Sequence, residues 1–194
     1  MIYVAFLPTE GKKTYAEESE QAKRLLVNFY KKIFSKEPPE IKRAHLGKPY
    51  FVTLQSPHFS LSHSSGAIAV ALCDEQFEIG IDVEGKINQE KFARISSRFP
   101  FIKKRDLSSL SGGVSFFYVS PKSDGYTFSS VEKAPFPDDE NTILWTETEA
   151  LLKADGDGFA GAKKLNELEK SHEVSSFVFD NFYLSIAKSK DICK

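Results

Sequence analysis

Residues 79–84, Ile-Gly-Ile-Asp-Val-Glu, alternate strictly, and a period of two points to an extended strand. Ile79, Ile81 and Val83 then project to one side, and Gly80, Asp82 and Glu84 to the other. Asp82 and Glu84 stand two apart, so both carboxylates leave one face. Carboxylates that close repel each other unless a cation or a proton lies between them. Hard oxygen ligands favour Mg²⁺, which takes a few carboxylates and completes its shell with water and substrate phosphates. The plainer alternative is the solvated polar face of a half-buried strand, which carries such pairs routinely.

The rest of the chain mixes helix and strand. Residues 2–7 read as a strand stopped by Pro8 and Gly11. Residues 15–34 read as a helix with Ala22, Leu25, Leu26, Phe29 and Ile33 on one stripe. Lys23, Arg24, Lys31 and Lys32 lie on its other faces, as a solvated surface or as part of an anion site. The prolines at 38–39 and the Gly47-Lys48-Pro49 turn make 35–51 a loop. Strands are expected at 58–62 and 67–73, with a Ser-rich turn holding His63 between them. Residues 88–110 hold a helix pattern broken by Pro100, and 111–140 are irregular, with short strands at SFFYV and YTFSS around a PKSDG turn. A helix at 144–154 stops at Gly156 and Gly158, and SSFVFDNFYLSIA reads as a hairpin around Asp180-Asn181. The order β-α-β-β-β, then α-β-β, predicts an α+β fold of two similar halves, 1–84 and 85–194, with an irregular segment at about 95–143.

With 17 Phe, 7 Tyr and 41% hydrophobic residues in 194, the chain can bury a real core. A net charge of −1 argues against a broad nucleic-acid binder, though not against a local basic patch. Cys73 lies in an apolar run and Cys193 near the end; two free thiols fit a reducing compartment, and no Cys/His cluster has zinc spacing. No apolar run approaches the length of a membrane span, and the first residues lack the pattern of a signal peptide. A soluble, cytoplasmic protein is the expectation.

Further residues could carry chemistry. Glu149 and Lys153 share a helical face, as an ordinary surface pair or as part of a site. His63 in its turn is either bonded to local backbone or a phosphate ligand or proton shuttle. Lys48, held between Gly47 and Pro49, is either an exposed turn lysine or a fixed point charge for phosphate. Walker-type and GxSxG motifs are absent, and Ser62 beside His63 has poor geometry for a nucleophile and its base.

Taken in order, GKPYF at 47–51, FSLSHSSGAIAVAL at 59–72, IGIDVE at 79–84 and WTETEALLKADGDGF at 145–159, closed by FVFDNFYLSIA, resemble the 4′-phosphopantetheinyl transferases. The likeness is to the larger, single-chain (surfactin-synthetase-activating) type, and it covers the chain from about residue 20 apart from roughly 95–143. The resemblance implies a pseudo-twofold fold, each half a helix packed on a small, mostly antiparallel sheet, with coenzyme A between the halves and a monomer as the natural state. It implies Mg²⁺ held by Asp82, Glu84, Glu149 and the CoA pyrophosphate. Lys48, Ser62 and His63 would contact CoA phosphates, with Lys153 near the pyrophosphate and basic residues of helix 15–34 near the 3′-phosphate. Glu149, Lys153 and His63 would be the catalytic groups. The implied reaction moves 4′-phosphopantetheine from CoA to a serine of an apo acyl or peptidyl carrier protein, releasing 3′,5′-ADP, with neither nucleic acid nor membrane as partner. Two departures stand out. Thr148 replaces the lysine usual before the helix glutamate, and the helix that carries a carboxylate proposed as base is replaced by SRFPFIKKRDLSSLSGG, where Asp106 is a stand-in. Lys103, Lys104 and Arg105 either meet an acidic carrier or form a solvated basic run. These departures leave an alternative: a catalytically impaired CoA- or carrier-binding module of the same fold.

Overall fold

The computed structural model describes residues 1–194 apart from 12, 54, 105–106, 133–136 and 193–194. Asp106, Arg105 and Cys193 therefore lie outside the described residues. The apolar stripe at 22, 25, 26 and 29 forms the buried face of helix α1 (Tyr15–Phe34). A capping box starts it. The Thr14 hydroxyl accepts from the Glu17 N–H, and the Glu17 carboxylate accepts from the Thr14 N–H. Ser35, at φ 53°, closes it in the left-handed region.

The face of α1 packs on a sheet of five strands in the order β4-β5-β1-β7-β8. These are β1 (Ile2–Pro8), β4 (His58–Ser64), β5 (Ala67–Cys73), β7 (Val114–Lys122) and β8 (Gly125–Val131). The short pair β2 (Ile41–Arg43) and β3 (Pro49–Phe51) is a separate hairpin inside the stretch expected to be loop. β5 explains its own composition. Ile68, Val70 and Leu72 meet α1, while Ala67, Ala69, Ala71 and Cys73 face the opposite side, and all seven are buried. A strand covered on both faces needs no polar residue.

That opposite side packs on a second sheet, β6-β10-β9, built from β6 (Ile79–Gly85), β10 (Phe182–Ser189) and β9 (His172–Phe179). Ile79, Ile81, Val83, Leu184 and Ile186 fill the space between the sheets with Val4 and Phe6. The outer face of this sheet carries helix α3 (Glu140–Asp155) and the short α4 (Leu165–Ser171). The layers thus run helix, sheet, sheet, helix, and the class is α+β. Among the strands of the described residues β1 and β7 pair in parallel, and the other strand pairs are antiparallel. Each sheet draws strands from both sides of residue 84: β6 joins the C-terminal hairpin, and the β7–β8 hairpin joins β1.

Several expectations shift in detail. His63 lies within β4, and the turn after it is only Ser65-Gly66, with Gly66 at φ 99°. The helix expected at 144–154 begins earlier, at Glu140, because the Asp139 side chain accepts from the Thr142 N–H and caps it. Helix α2 (Gln89–Arg98) stops before Pro100, as its ring requires. Among the described residues no helix is long and apolar enough to cross a membrane.

Candidate functional site

The polar face of β6 is not solvated. Helix α3 lies directly on it, and the approach passes through Gly80: a Cβ there would stand 2.0 Å from the Ala150 carbonyl oxygen and 2.4 Å from the Ala154 nitrogen. Asp82, two residues on, is only 4% exposed. The edge of β6 also abuts the edge of β4 without a backbone ladder. Serine hydroxyls stand in for it, Ser60 Oγ accepting from the Ile81 N–H and Ser62 Oγ from the Val83 N–H. Asp82, Ser62 and α3 therefore converge where the two sheets meet.

Lys153 fills that convergence. Its Nζ donates to Asp82 Oδ1 at 2.6 Å and to Ser62 Oγ at 3.0 Å, and Ser62 Oγ–H donates to Asp82 Oδ1 at 2.9 Å. Glu149 Oε2, one turn back on α3, is 3.7 Å from the same ammonium. Burial and the Asp82 charge push the Glu149 carboxyl up to about 7. Burial also pushes Asp82 up, partly offset by Lys153. Burial disfavours the Lys153 charge, but Asp82 and Glu149 outweigh it and raise its pKa. The site holds more negative charge than one ammonium balances.

Glu84 is at the same edge but turns to α2, where Lys91 Nζ donates to its Oε1 at 2.8 Å. The three carboxylates are not drawn into one cluster: among the described residues no group of three or more His, Cys, Asp or Glu side chains could hold a metal ion as placed. Asp82 and Glu149 nonetheless fit a divalent cation, being hard oxygen donors with surplus negative charge.

Lys48 lies at the C-terminal end of α3. It donates to Glu78 Oε2 at 2.5 Å and to the Ala154 carbonyl at 2.6 Å, tying the β2–β3 hairpin to the last turn of the helix. Burial opposes the Glu78 charge, but His58 and Lys48 bring that carboxyl down to about 2. Gly156, at φ 88°, ends α3, and a Cβ on it would meet Lys48 Cδ at 3.0 Å. His63 projects toward α1, its Nδ1 3.1 Å from Glu18 Oε2 and its ring edge-on to Tyr15 at 4.7 Å.

A cleft of about 520 Å³ opens between α1, the β2–β3 hairpin and the C-terminal end of α3. Lys23, Arg43, Lys48, Lys153 and His63 line it, and no described lining residue is a carboxylate. Four cations thus line one cleft, Lys48 already paired with Glu78 and Lys153 with Asp82 and Glu149, and the apolar Leu26, Phe59 and Leu61 lie beside them. The structure thus brings Lys48, His63 and Lys153 to one cavity and gathers Ser62, Asp82 and Glu149 around Lys153. Thr148 faces away, fully buried, and donates to the Leu144 carbonyl at 2.7 Å.

Glu18, Arg43, Glu78 and Lys91 were not singled out in the sequence. Glu18 carried a usable signal: it sits one turn before Ala22 on the apolar stripe, and a carboxylate there must be paired. Arg43, Glu78 and Lys91 carried none, since only the fold brings each to its partner. Comparison with protein-family models gives no match, and comparison with curated proteins gives none.

Proposed function

We propose that the chain is a Mg²⁺-dependent 4′-phosphopantetheinyl transferase that moves phosphopantetheine from coenzyme A to a carrier-protein serine. The observation that carries this reading is the cationic cleft whose Lys153 is bonded to Asp82 and lies beside Glu149. A nucleotide with several phosphates and an apolar arm matches its charge and lining. The pseudo-twofold arrangement belongs to the same reading: α1 covers one sheet, α3 the other, and the carboxylates stand at the junction.

Asp82, Glu84 and Glu149 would hold the Mg²⁺. When bound, the ion polarises the transferred phosphoryl group and neutralises its developing charge. Lys48 and His63 bind and orient CoA phosphates. Lys153, which donates to Asp82 here, would offer its ammonium to the pyrophosphate. The carrier serine oxygen forms a bond to the β-phosphorus, the bond to 3′,5′-ADP breaks, and the hydroxyl proton leaves with solvent or a base. Such transfer needs positioning and charge more than an enzyme nucleophile.

The test mixes protein, CoA, Mg²⁺ and several apo carrier proteins and weighs the carriers. A gain of the phosphopantetheine mass supports the reading. No gain on any carrier, with a known transferase modifying all of them, refutes it for those partners. The way Lys153 and Lys91 occupy the carboxylates favours one other reading, a CoA-binding module without catalysis. Tight CoA binding with no turnover would select it.

A further inference from the structure

Glu18 is 9% exposed and lies in the first turn of α1, where the helix dipole favours a carboxylate. Among the described residues its carboxylate has one hydrogen-bond partner, His63 Nδ1. Nε2 is then the one polar ring atom left for the cleft that His63 lines. Glu18 and Tyr15 from α1 face this ring, and Lys23, Arg43, Lys48 and Lys153 line the same cavity, Lys48 paired with Glu78 and Lys153 with Asp82 and Glu149. A neutral ring donating from Nδ1 to Glu18 would present a lone pair at Nε2, which repels a phosphate oxygen. With the imidazolium, one N–H goes to Glu18 and the other points at the anion.

We infer that Glu18 is a positioning residue, fixing the His63 ring through Nδ1 and holding it as the imidazolium so that Nε2–H meets a phosphate in the cleft. The phosphate part rests on the function proposed above; the action of Glu18 on His63 does not. Glu18→Gln keeps the size and an acceptor oxygen but removes the charge, and Glu18→Asp restores the charge one methylene shorter. His63 protonation is followed by NMR in the free protein, with His63→Ala assigning the resonance. CoA binding is followed by calorimetry from about pH 6 to about pH 8.5, the range over which a histidine switches. In Glu18→Gln the His63 ring is expected to lose its proton at lower pH than in wild type, with Glu18→Asp moving it back. CoA binding by the Gln variant should weaken by about ten- to a hundredfold at the alkaline end, the size of one charge-assisted hydrogen bond. The gap should close toward the acid end and vanish in a His63→Ala background. Identical His63 titrations in wild type and Glu18→Gln overturn the inference. So does an equal loss of CoA binding in the His63→Ala background, which would mark a merely structural role. Failure of the wild type to bind CoA removes the phosphate role and the proposed function, while the NMR comparison still decides what Glu18 does to the ring.

Discussion

Gly80→Ala tests the fold and the site together. The new Cβ would stand 2.0 Å from the Ala150 carbonyl oxygen and 2.4 Å from the Ala154 nitrogen, and both are backbone atoms that cannot rotate away. Ordinary contact begins near 3.4 Å, so α3 must move off β6 by about 1.4 Å. That movement opens the contacts of Ala150, Leu151 and Ala154, all fully buried. Overpacking a core costs about 1–3 kcal/mol, and a clash with backbone belongs at or above the upper end. For a chain of this size that corresponds to a fall in melting temperature of roughly 6–12 °C. Glu149 and Lys153 ride on the displaced helix, and a shift of about 1 Å in reacting groups costs on the order of a hundredfold in rate. Calorimetry gives the melting temperature, and phosphopantetheine transfer assayed well below it gives the rate. A variant that melts within about 2 °C of wild type would refute the close packing of α3 on β6. One that loses stability but keeps full rate would refute the placement of the chemistry on α3.

Phe29→Ala removes a fully buried ring between α1 and the five-stranded sheet and should cost about 3–5 kcal/mol, read from urea unfolding at constant m-value. Asp82→Asn should lower transfer by about a hundredfold or more while CoA binding persists. Lys153 keeps Glu149 as a counter-charge, so the melting temperature should fall by only about 2–4 °C. Glu78→Gln should destabilise at neutral pH, modestly because the carboxylate is partly exposed. The folded carboxyl lies at about 2 against an ordinary 4.5, so its contribution is complete above about 4.5 and fades as pH falls toward 2. The gap in urea midpoint between wild type and variant should close across that window, and a gap constant with pH would contradict the ion pair with Lys48.

The helix stripe of α1 and the hairpin at 172–189 were legible because both are periodic and locally capped or turned: Thr14 opens the first, and Asp180 at φ 53° turns the second. The β7–β8 hairpin was also legible, but not its place beside β1, because a parallel pairing across more than a hundred residues leaves no local mark. Helix α3 showed no clean stripe, and its packing explains why. It buries Leu151, Leu152 and Ala154 together with Thr142, Thr146 and Thr148, so apolar and hydroxyl-bearing positions surround it. Glu149 and Lys153 could be read as one helical face, but not that Lys153 would reach Asp82 across the seam.

The serine-bridged junction explains why the polar residues sit where they do. β4 and β6 are both edge strands, and an edge strand exposes backbone donors that need partners. Continuing the ladder across the junction would satisfy them but would fuse the two sheets, leaving no room for a cleft at their meeting line. Ser60 and Ser62 instead accept from Ile81 and Val83 through side chains, which joins the sheets at a wider spacing. Ser62 then has its own proton to give, and gives it to Asp82. The hydroxyl that closes the fold is thus the same one that orients the carboxylate. Replacing Ser62 by Ala would remove both, leaving the Val83 N–H and one Asp82 lone pair buried without that partner, so stability and site geometry at this position cannot be varied independently.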